Sequence, residues 1–216
     1  MLDEILDIIF PPVCGVCGRI DKNSLCKKCE IQLRKQAVFG TDSYKKDYDK
    51  YFYEHLYIFM YSGIIRSLML DYKFNDNSYL YKTFANFLLK NEKLVENIKR
   101  YDIIVPVPLN KQRKMERGYN QSELIARKIS NSTNIKLNKY CLKKVTNTTA
   151  QSTLSKKERL NNVEGAYIIT KNKDLKQKKV LIFDDIFTTG STVNECSKLI
   201  KQAGATRVGV LTIAKD

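Results

Sequence analysis

The stretch VLIFDDIFTTGST, residues 180–192, decides the fold. Its short apolar run, bounded by charge in KKVLIFDD, is typical of a central strand in a parallel sheet. Two adjacent aspartates, Asp184 and Asp185, end that run, and a small polar loop leads into TVNECSKLIKQAGA, whose pattern predicts a helix. Because open α/β sheets bind ligands beyond the carboxyl ends of their strands, we expect the aspartates and the loop to lie at a binding edge.

Strand and helix patterns alternate along much of the chain. YDIIVPVP (101–108), VEGAYIIT (163–170) and RVGVLTIA (207–214) predict strands, whereas YSGIIRSLMLDYKF (61–74) and residues 79–97 and 122–130 predict helices. The alternation indicates an α/β fold with a mainly parallel sheet flanked by helices. Because proline lacks an amide hydrogen, the prolines of YDIIVPVP argue against a central position for that strand.

The polar loop at 188–192 suits an anion. Successive backbone N–H groups at a turn and a helix start attract negative charge, and Gly190 lets the backbone approach it closely. Hydroxyl donors surround the glycine at Thr188, Thr189, Ser191 and Thr192. The two carboxylates before the loop suit hydroxyls or a cation, so the stretch fits a ribose 5-phosphate. The alternative is a capped helix start beside two surface aspartates.

Four of the six cysteines form two CxxC pairs in CGVCGRIDKNSLCKKC. The spacing C-x2-C-x8-C-x2-C offers four thiolates to one tetrahedral zinc, a structural rather than a catalytic arrangement. The ligands would be Cys14, Cys17, Cys26 and Cys29. A disulfide pair or a redox CxxC is the alternative. A polar stretch at 40–50 indicates a linker, so we predict a zinc ribbon at 1–42 and a larger domain at 43–216.

Charge is concentrated in one part of this chain of 216 residues with a net charge of +15. Residues 90–180 hold 22 Lys/Arg against 8 Asp/Glu, a net charge of +14. Such a block suits phosphate, pyrophosphate or nucleic acid, and the alternative is a solvated lysine surface. No apolar run approaches the ~18 residues of a membrane span, and the early acidic residues do not fit a signal peptide. We therefore expect a cytoplasmic protein.

Several segments resemble known families. VLIFDDIFTTGST resembles the phosphoribosyl-diphosphate (PRPP) motif of type I phosphoribosyltransferases. IVPVPLNKQRKMERGYNQSELIA (104–126), TTAQSTLSKKERLNNVEGAY (148–167) and YSGIIRSLMLDYKF are similar to segments of the ComF competence proteins, which also carry an N-terminal zinc ribbon. From about residue 5 to residue 214, the chain is identified as ComF (ComFC-like) with a type I phosphoribosyltransferase-like fold.

The resemblance implies a set of site residues. Asp184 and Asp185 would hold the ribose hydroxyls, directly or through Mg²⁺, and the loop 188–192 would hold the 5-phosphate. Five basic residues would meet the pyrophosphate or lie near it: Arg66, Lys73, Arg113, Lys114 and Arg117. Gln151, Arg159 and Asn162 match a segment that acts as a flexible lid in related transferases. Lys143 and Lys144 stand where relatives often carry arginine, and lysine lacks the bidentate fork of arginine.

The resemblance also implies a function in natural transformation, with DNA-uptake proteins as partners and single-stranded DNA as a candidate ligand. Interleaved tyrosines are compatible with base stacking or with core positions: Tyr72, Tyr79, Tyr81, Tyr101 and Tyr119. Two alternatives stay open. One is an active phosphoribosyltransferase in nucleotide metabolism, whose acceptor the sequence does not name. The other is a non-catalytic PRPP or nucleotide sensor.

Overall fold

The computed structural model describes residues 12–45, 47–75, 77–146, 163–170 and 173–216. Its strands are β1 (Ala37–Ser43), β2 (Glu54–Met60), β3 (Ile103–Pro106), β4 (Lys136–Leu137), β5 (Leu142–Lys144), β6 (Tyr167–Ile169), β7 (Lys179–Phe187) and β8 (Arg207–Lys215). Within the described part of the chain, the main sheet has the order β1-β2-β8-β7-β3-β4. All neighbours in it are parallel except β1, which pairs antiparallel with β2. Strands β5 and β6 form a separate antiparallel pair.

Helices cover both faces of the main sheet. They are α1 (Lys27–Gln36), α2 (Gly63–Phe74), α3 (Leu80–Leu89), α4 (Glu92–Ile98), α5 (Lys111–Arg117), α6 (Gln121–Thr133) and α7 (Ser191–Gln202), and a short 3₁₀ turn spans Lys173–Leu175. Leu181 and Phe183 of β7 join the core formed with α2, α3, α4 and α6, whereas Val180 and Ile182 join the core formed with α7. Burial on both faces explains the continuous apolar run of β7. The predicted parallel sheet flanked by helices is confirmed.

The position of β3 differs from the sequence-based expectation. It lies inside the sheet, between β7 and β4, despite its prolines. In a parallel strand, alternate residues bond to opposite neighbours, and Val107 N–H donates to Phe183 O on the β7 side. Pro106 therefore faces the β4 side, where the pairing with β4 has already ended at Ile104. Its missing amide hydrogen costs no ladder bond, which is why proline is tolerated there.

Strand β7 continues past the two aspartates. Asp184 lies opposite Thr212 and Phe187 opposite Lys215 on β8, so the strand ends four residues later than its apolar run. Its pairing with β3 stops at Phe183. The aspartates therefore lie beyond the end of β3 but within β7, held in extended conformation by β8.

Residues 79–97, expected as one helix, form two. Helix α3 ends at Leu89, and Asn91 begins α4 as its N-cap, where its side chain accepts a hydrogen bond from Leu94 N–H at 2.8 Å. Asparagine at this position competes with helix continuation because its side chain replaces a backbone carbonyl.

The cysteine-rich segment packs on the larger domain. Thr83 Oγ1 of α3 donates to Ser24 O at 2.7 Å, and Lys90 Nζ lies 2.6 Å from Glu30 Oε2 of α1. Three of the four clustered cysteines share one apolar core with Leu80 and Phe84. The expected boundary between residues 42 and 43 falls inside β1, which joins the main sheet. Within the described residues, no helix is long and apolar enough to cross a membrane.

Candidate functional site

A cavity of about 790 Å³ opens where the parallel strands end. Its walls come from β7 and the loop behind it, from the segment after β3, from one face of α2, from the first turn of α6, and from β5 and β6. The residues contributed by α2 are Arg66, Leu70, Lys73 and Phe74, which recur at helical spacing on one face. The topology thus places acidic, basic and hydroxyl side chains around one space.

The two aspartates lie on the floor of this cavity. Asp184 Oδ1 accepts hydrogen bonds from Ser122 Oγ at 3.2 Å and from the N–H of Asp185 at 2.9 Å. Asp185 Oδ2 pairs with Lys73 Nζ at 3.0 Å. Burial, and then the neighbouring charge of Asp185, raise the pKa of Asp184 to about 7, although Lys73 acts in the opposite direction. A carboxyl with a pKa shifted this far, lying in a cavity, indicates a functional site.

The loop 188–192 forms the next part of the wall. Gly190 has φ of +75° and is the N-cap of α7, and no side chain caps the helix there. Thr189 Oγ1 lies 2.7 Å from Ser191 Oγ, so the two hydroxyls bond to each other across the glycine. Ser191 N–H, the first of α7, donates to Thr189 Oγ1 at 3.4 Å. The loop and the start of α7 line the cavity, and a helix N-terminus there favours an anion. Because the N-cap is Gly190, the alternative of a serine or threonine N-cap is wrong.

Most of the expected cations surround the same space. Arg66, Lys73, Arg113 and Arg117 all line the cavity. Arg117 also places its guanidinium 5.1 Å from the ring centre of Phe74. Lys114 is exposed on α5 and is not part of the cavity wall. Its contact with a ligand stays a prediction.

The wall also includes two residues outside the expected site set, of which Lys144 had been noted only for standing where relatives often carry arginine. Lys144 of β5 and Tyr167 of β6 both line the cavity, with Lys144 Nζ 5.3 Å from the centre of the Tyr167 ring. Burial lowers the pKa of Lys144, helped by the charge of Arg113. The small strand pair therefore closes one side of the site. The expected lid residues Gln151, Arg159 and Asn162 lie outside the described residues.

Gln121 and Ser122 are a second addition, from the first turn of α6. The motif RGYNQ contains the glutamine and borders the serine, but the motif alone does not reveal that both residues line the cavity and that Ser122 bonds to Asp184. That proximity depends on the packing of α6 against β7 across a separation of 62 residues. His55, by contrast, is a buried residue of β2 whose Nε2 lies 2.8 Å from Thr212 Oγ1, away from the cavity wall.

The four N-terminal cysteines form one cluster. The sulfur atoms of Cys14, Cys17, Cys26 and Cys29 lie within 4.8 Å of one another, and Cys17 Sγ is 3.9 Å from Cys26 Sγ. A tetrahedron with Zn–S bonds of about 2.3 Å has sulfur–sulfur edges of about 3.8 Å, so the cluster fits zinc. Burial would raise the pKa of the Cys14 thiol, but backbone hydrogen bonds from Cys26, Cys17 and Val16 lower it to about 7. The six cysteines form no disulfide in this structure, and the four N-terminal sulfur atoms converge as one metal site rather than as two pairs.

The fold and the site define a class of protein. A family model for the phosphoribosyl transferase domain matches residues 116–216, which include the aspartates, the polar loop and α7. Among solved structures, a purine phosphoribosyltransferase from Pyrococcus horikoshii aligns over 64% of this chain and 85% of its own, at 18% identity and a TM-score of 0.41. Residues 116–216 are thus similar to the phosphoribosyl transferase domain family. The predicted fold class is confirmed by the mainly parallel sheet with helices on both faces.

Three curated proteins are similar to this chain over nearly its whole length. Competence protein F of Haemophilus influenzae is 28% identical over 91% of this chain and 92% of its own length. ComFC of Streptococcus pneumoniae is 27% identical over 99% of this chain and 85% of its own length. The DNA utilization protein YhgH of Escherichia coli is 24% identical over 94% and 90% of the two chains. The chain is thus a homologue of ComF and ComFC competence proteins, as its motifs indicated.

Proposed function

We propose that the cavity binds PRPP together with Mg²⁺ and that the protein acts in DNA uptake. One observation supports this ligand above the others: the glycine-capped N-terminus of α7 and the paired aspartates line the same cavity. The 5-phosphate would bind the loop 188–192, and the ribose hydroxyls would bind Asp184 and Asp185. The pyrophosphate would face Arg113 and Arg117 across the cavity.

Magnesium is the cation that suits this arrangement. Mg²⁺ prefers one or two carboxylates together with phosphate oxygens, which Asp184, Asp185 and a diphosphate would supply. When bound, the ion would neutralise charge on the pyrophosphate. Lys73 already holds Asp185 at 3.0 Å, so a cation at Asp185 would compete with this pair. Zinc is the proposed ion at the four cysteines, where it would stabilise the ribbon.

The chemistry open to such a site is transfer of the phosphoribosyl group to a nitrogen acceptor. The bond between C1 and the pyrophosphate oxygen breaks, pyrophosphate leaves, and the acceptor nitrogen bonds to C1. The protein contributes positioning by the aspartates and electrostatic stabilisation of the leaving group by Arg113 and Arg117. A lid formed by the segment with Gln151, Arg159 and Asn162 would exclude water.

Contact with single-stranded DNA is the second part of the proposal. The relatives are named for competence and DNA utilization, and the basic block supplies exposed cations such as Lys111 and Lys114 beside the cavity. Tyr79 and Tyr140 are 39% and 62% exposed, so they are available for base stacking. Tyr72 and Tyr101 are buried core residues and are not.

The remaining expectations stay proposals. DNA-uptake proteins are the proposed protein partners, and the cytoplasm is the proposed location. The division into a ribbon at 1–42 and a domain at 43–216 is likewise proposed, with the qualification that β1 spans the boundary.

Calorimetry with three ligands tests the proposed binding. PRPP fills the phosphate loop, the acidic floor and the cationic wall, so it should bind more tightly than ribose 5-phosphate or pyrophosphate, each of which fills only part of the site. Equal affinity for PRPP and inorganic phosphate would contradict the proposal. An acceptor screen that follows pyrophosphate release then separates a transferase from a sensor, because a sensor binds PRPP without turnover.

A further inference from the structure

The first turn of α6 is held rigidly at the cavity. Its N-cap, Asn120, accepts a hydrogen bond from Ser122 N–H at 3.0 Å and donates one to Val107 O at 3.0 Å. Tyr72 Oη donates to Gln121 O at 2.8 Å from the opposite side. These contacts tie the backbone of the turn to the end of β3 and to α2, which sets where the side chains of Gln121 and Ser122 enter the wall.

The side-chain amide of Gln121 is buried without a partner. The residue is 1% exposed, it lines the cavity, and its Nε2 has no hydrogen-bond partner among the residues that the structure describes. Buried polar side chains are nearly always hydrogen-bonded, since an unpaired amide loses its hydration without replacement. Gln121 lines the cavity, so an amide that turns toward this space would find its partner in a ligand atom.

The contact of Ser122 indicates which part of a ligand would lie near Gln121. Ser122 Oγ donates to Asp184 Oδ1 at 3.2 Å, which places the first turn of α6 beside the carboxylates rather than at the phosphate loop. A carboxylate only accepts hydrogen bonds, whereas a hydroxyl has one donor and two acceptor sites. A sugar hydroxyl that donates to Asp184 would thus still need a donor for its own oxygen.

We infer that Gln121 Nε2 donates to the oxygen of a ribose hydroxyl that itself donates to Asp184, so that Gln121 recognises the hydroxylated sugar. This inference rests on the proposed function, because it assumes a phosphoribosyl ligand on the acidic floor. It adds a specificity: the site distinguishes ribose from a deoxyribose lacking that hydroxyl. A site built to bond a hydroxyl rejects the analogue without it, because the polar groups of the protein are left unpaired.

A cycle of two protein forms and three sugars tests the inference. Wild type and Gln121→Met are titrated with ribose 5-phosphate, 2-deoxyribose 5-phosphate and 3-deoxyribose 5-phosphate, with inorganic phosphate as the control ligand. Gln121→Met should bind ribose 5-phosphate about tenfold more weakly, the cost of one buried hydrogen bond. For one of the two deoxy sugars the substitution should change nothing, and phosphate affinity should also be unchanged.

Unfolding of the ligand-free forms separates this role from a merely structural one. Replacing an unpaired buried amide by an apolar group of similar shape should leave stability unchanged or raise it. Gln121→Glu is the second variant and keeps the test decisive if Gln121→Met packs poorly in the cavity wall. It keeps the shape but replaces the donor with a carboxylate, so it should lose at least as much affinity for ribose 5-phosphate.

Three outcomes overturn the inference. One is undiminished ribose 5-phosphate affinity in both variants, and another is an equal loss for all three sugars. The third is a destabilised Gln121→Met whose loss extends to inorganic phosphate. If any one of these results appears while PRPP still binds through Asp184 and Asp185, the proposed function stands and the role of Gln121 fails. If wild type binds PRPP but none of the sugar phosphates, the role of Gln121 fails and the proposed function stands. If wild type binds neither PRPP nor the sugar phosphates, both fail.

Discussion

The backbone conformation of Gly190 and the space beside it both favour glycine. Its φ of +75° lies in the left-handed region, and a Cβ there would come 2.5 Å from Cζ of Phe187. We predict that Gly190→Ala lowers the free energy of unfolding by about 1–3 kcal/mol and weakens PRPP binding, because the loop must move off the Phe187 ring. Denaturant unfolding and calorimetry measure the two effects.

Gly165→Ala is the matched control for this prediction. Gly165 has φ of +69°, but a Cβ there meets nothing within 4 Å. The control should lose stability through backbone strain alone and keep its PRPP affinity. Equal PRPP affinity in Gly190→Ala and the control would show that the glycine is needed for folding only.

His55, the only histidine of the chain, gives a prediction on pH. It is fully buried, and burial lowers its pKa to about 3, with Asp42 acting in the opposite direction. A depressed pKa means that the folded state resists protonation, so stability is lost as pH falls from the unfolded pKa of about 6.5 toward 3. By pH 5 the cost should reach about 2 kcal/mol.

A variant without the imidazole isolates this cost. His55→Phe keeps a ring against Phe187, whose centre lies 4.1 Å from that of His55. Other titrating groups, including Asp184, are common to both proteins and cancel in the difference. Between pH 7.5 and pH 5, wild type should therefore lose about 2 kcal/mol relative to the variant. If the stability of wild type and of the variant changes equally with pH, His55 takes up a proton as readily in the folded state as in the unfolded state.

At the scale of the elements, the metal cluster and α3 behave as one unit. Because the cysteine-rich segment is too small to bury its own core, a metal bound by the four cysteines would supply its folding energy. That core is shared with Leu80 and Phe84, so we predict that chelation destabilises the whole chain, with a fall in Tm of about 10 °C or more. Circular dichroism melting with and without a chelator measures this.

The competing result is specific. If only residues 1–42 unfold on chelation, the main transition keeps its Tm and only the ribbon signals change. Thr83→Val serves as a control for the contact with Ser24, because it removes that hydrogen bond without touching a cysteine. It should cost about 1 kcal/mol in the zinc-loaded protein and less after chelation.

Sequence patterns predict most of these elements because their signals are local. The apolar run of β7, the left-handed Gly204 just after α7 and the cysteine spacing each depend on neighbouring residues alone. The internal position of β3 could not be predicted, since it depends on β4 being too short to face Pro106. Gln121 and Ser122 were missed for a similar reason: only the packing of α6 against β7 brings them to Asp184.

At the scale of the whole molecule, the charge distribution predicts binding that depends on salt. If the basic block meets the phosphates of single-stranded DNA, log K should fall linearly with log salt concentration, with a slope of about −0.7 per phosphate contact. We predict that Lys111→Glu with Lys114→Glu reduces both the affinity and the slope. Fluorescence anisotropy over a salt series provides both values.

Lys27→Glu with Lys28→Glu is the matched control for the DNA prediction. Both lysines are exposed on α1, outside the basic block, and the change in net charge is the same. Equal losses in the two double variants would mean that only net charge matters. If single-stranded DNA does not bind even at low salt, the protein does not contact DNA directly.

The central claim is that the paired aspartates and the loop 188–192 at the start of α7 form a site that binds PRPP. Its most direct test is a calorimetric titration of PRPP with Mg²⁺ into the zinc-loaded protein and into Asp184→Asn with Asp185→Asn. Glu96→Gln with Asp174→Asn is the control, since both residues are exposed, lie away from the cavity and remove the same charge. The account predicts Mg²⁺-dependent binding in wild type and control, and its loss in the aspartate variant while the domain stays folded. Unchanged PRPP affinity in the aspartate variant would contradict it.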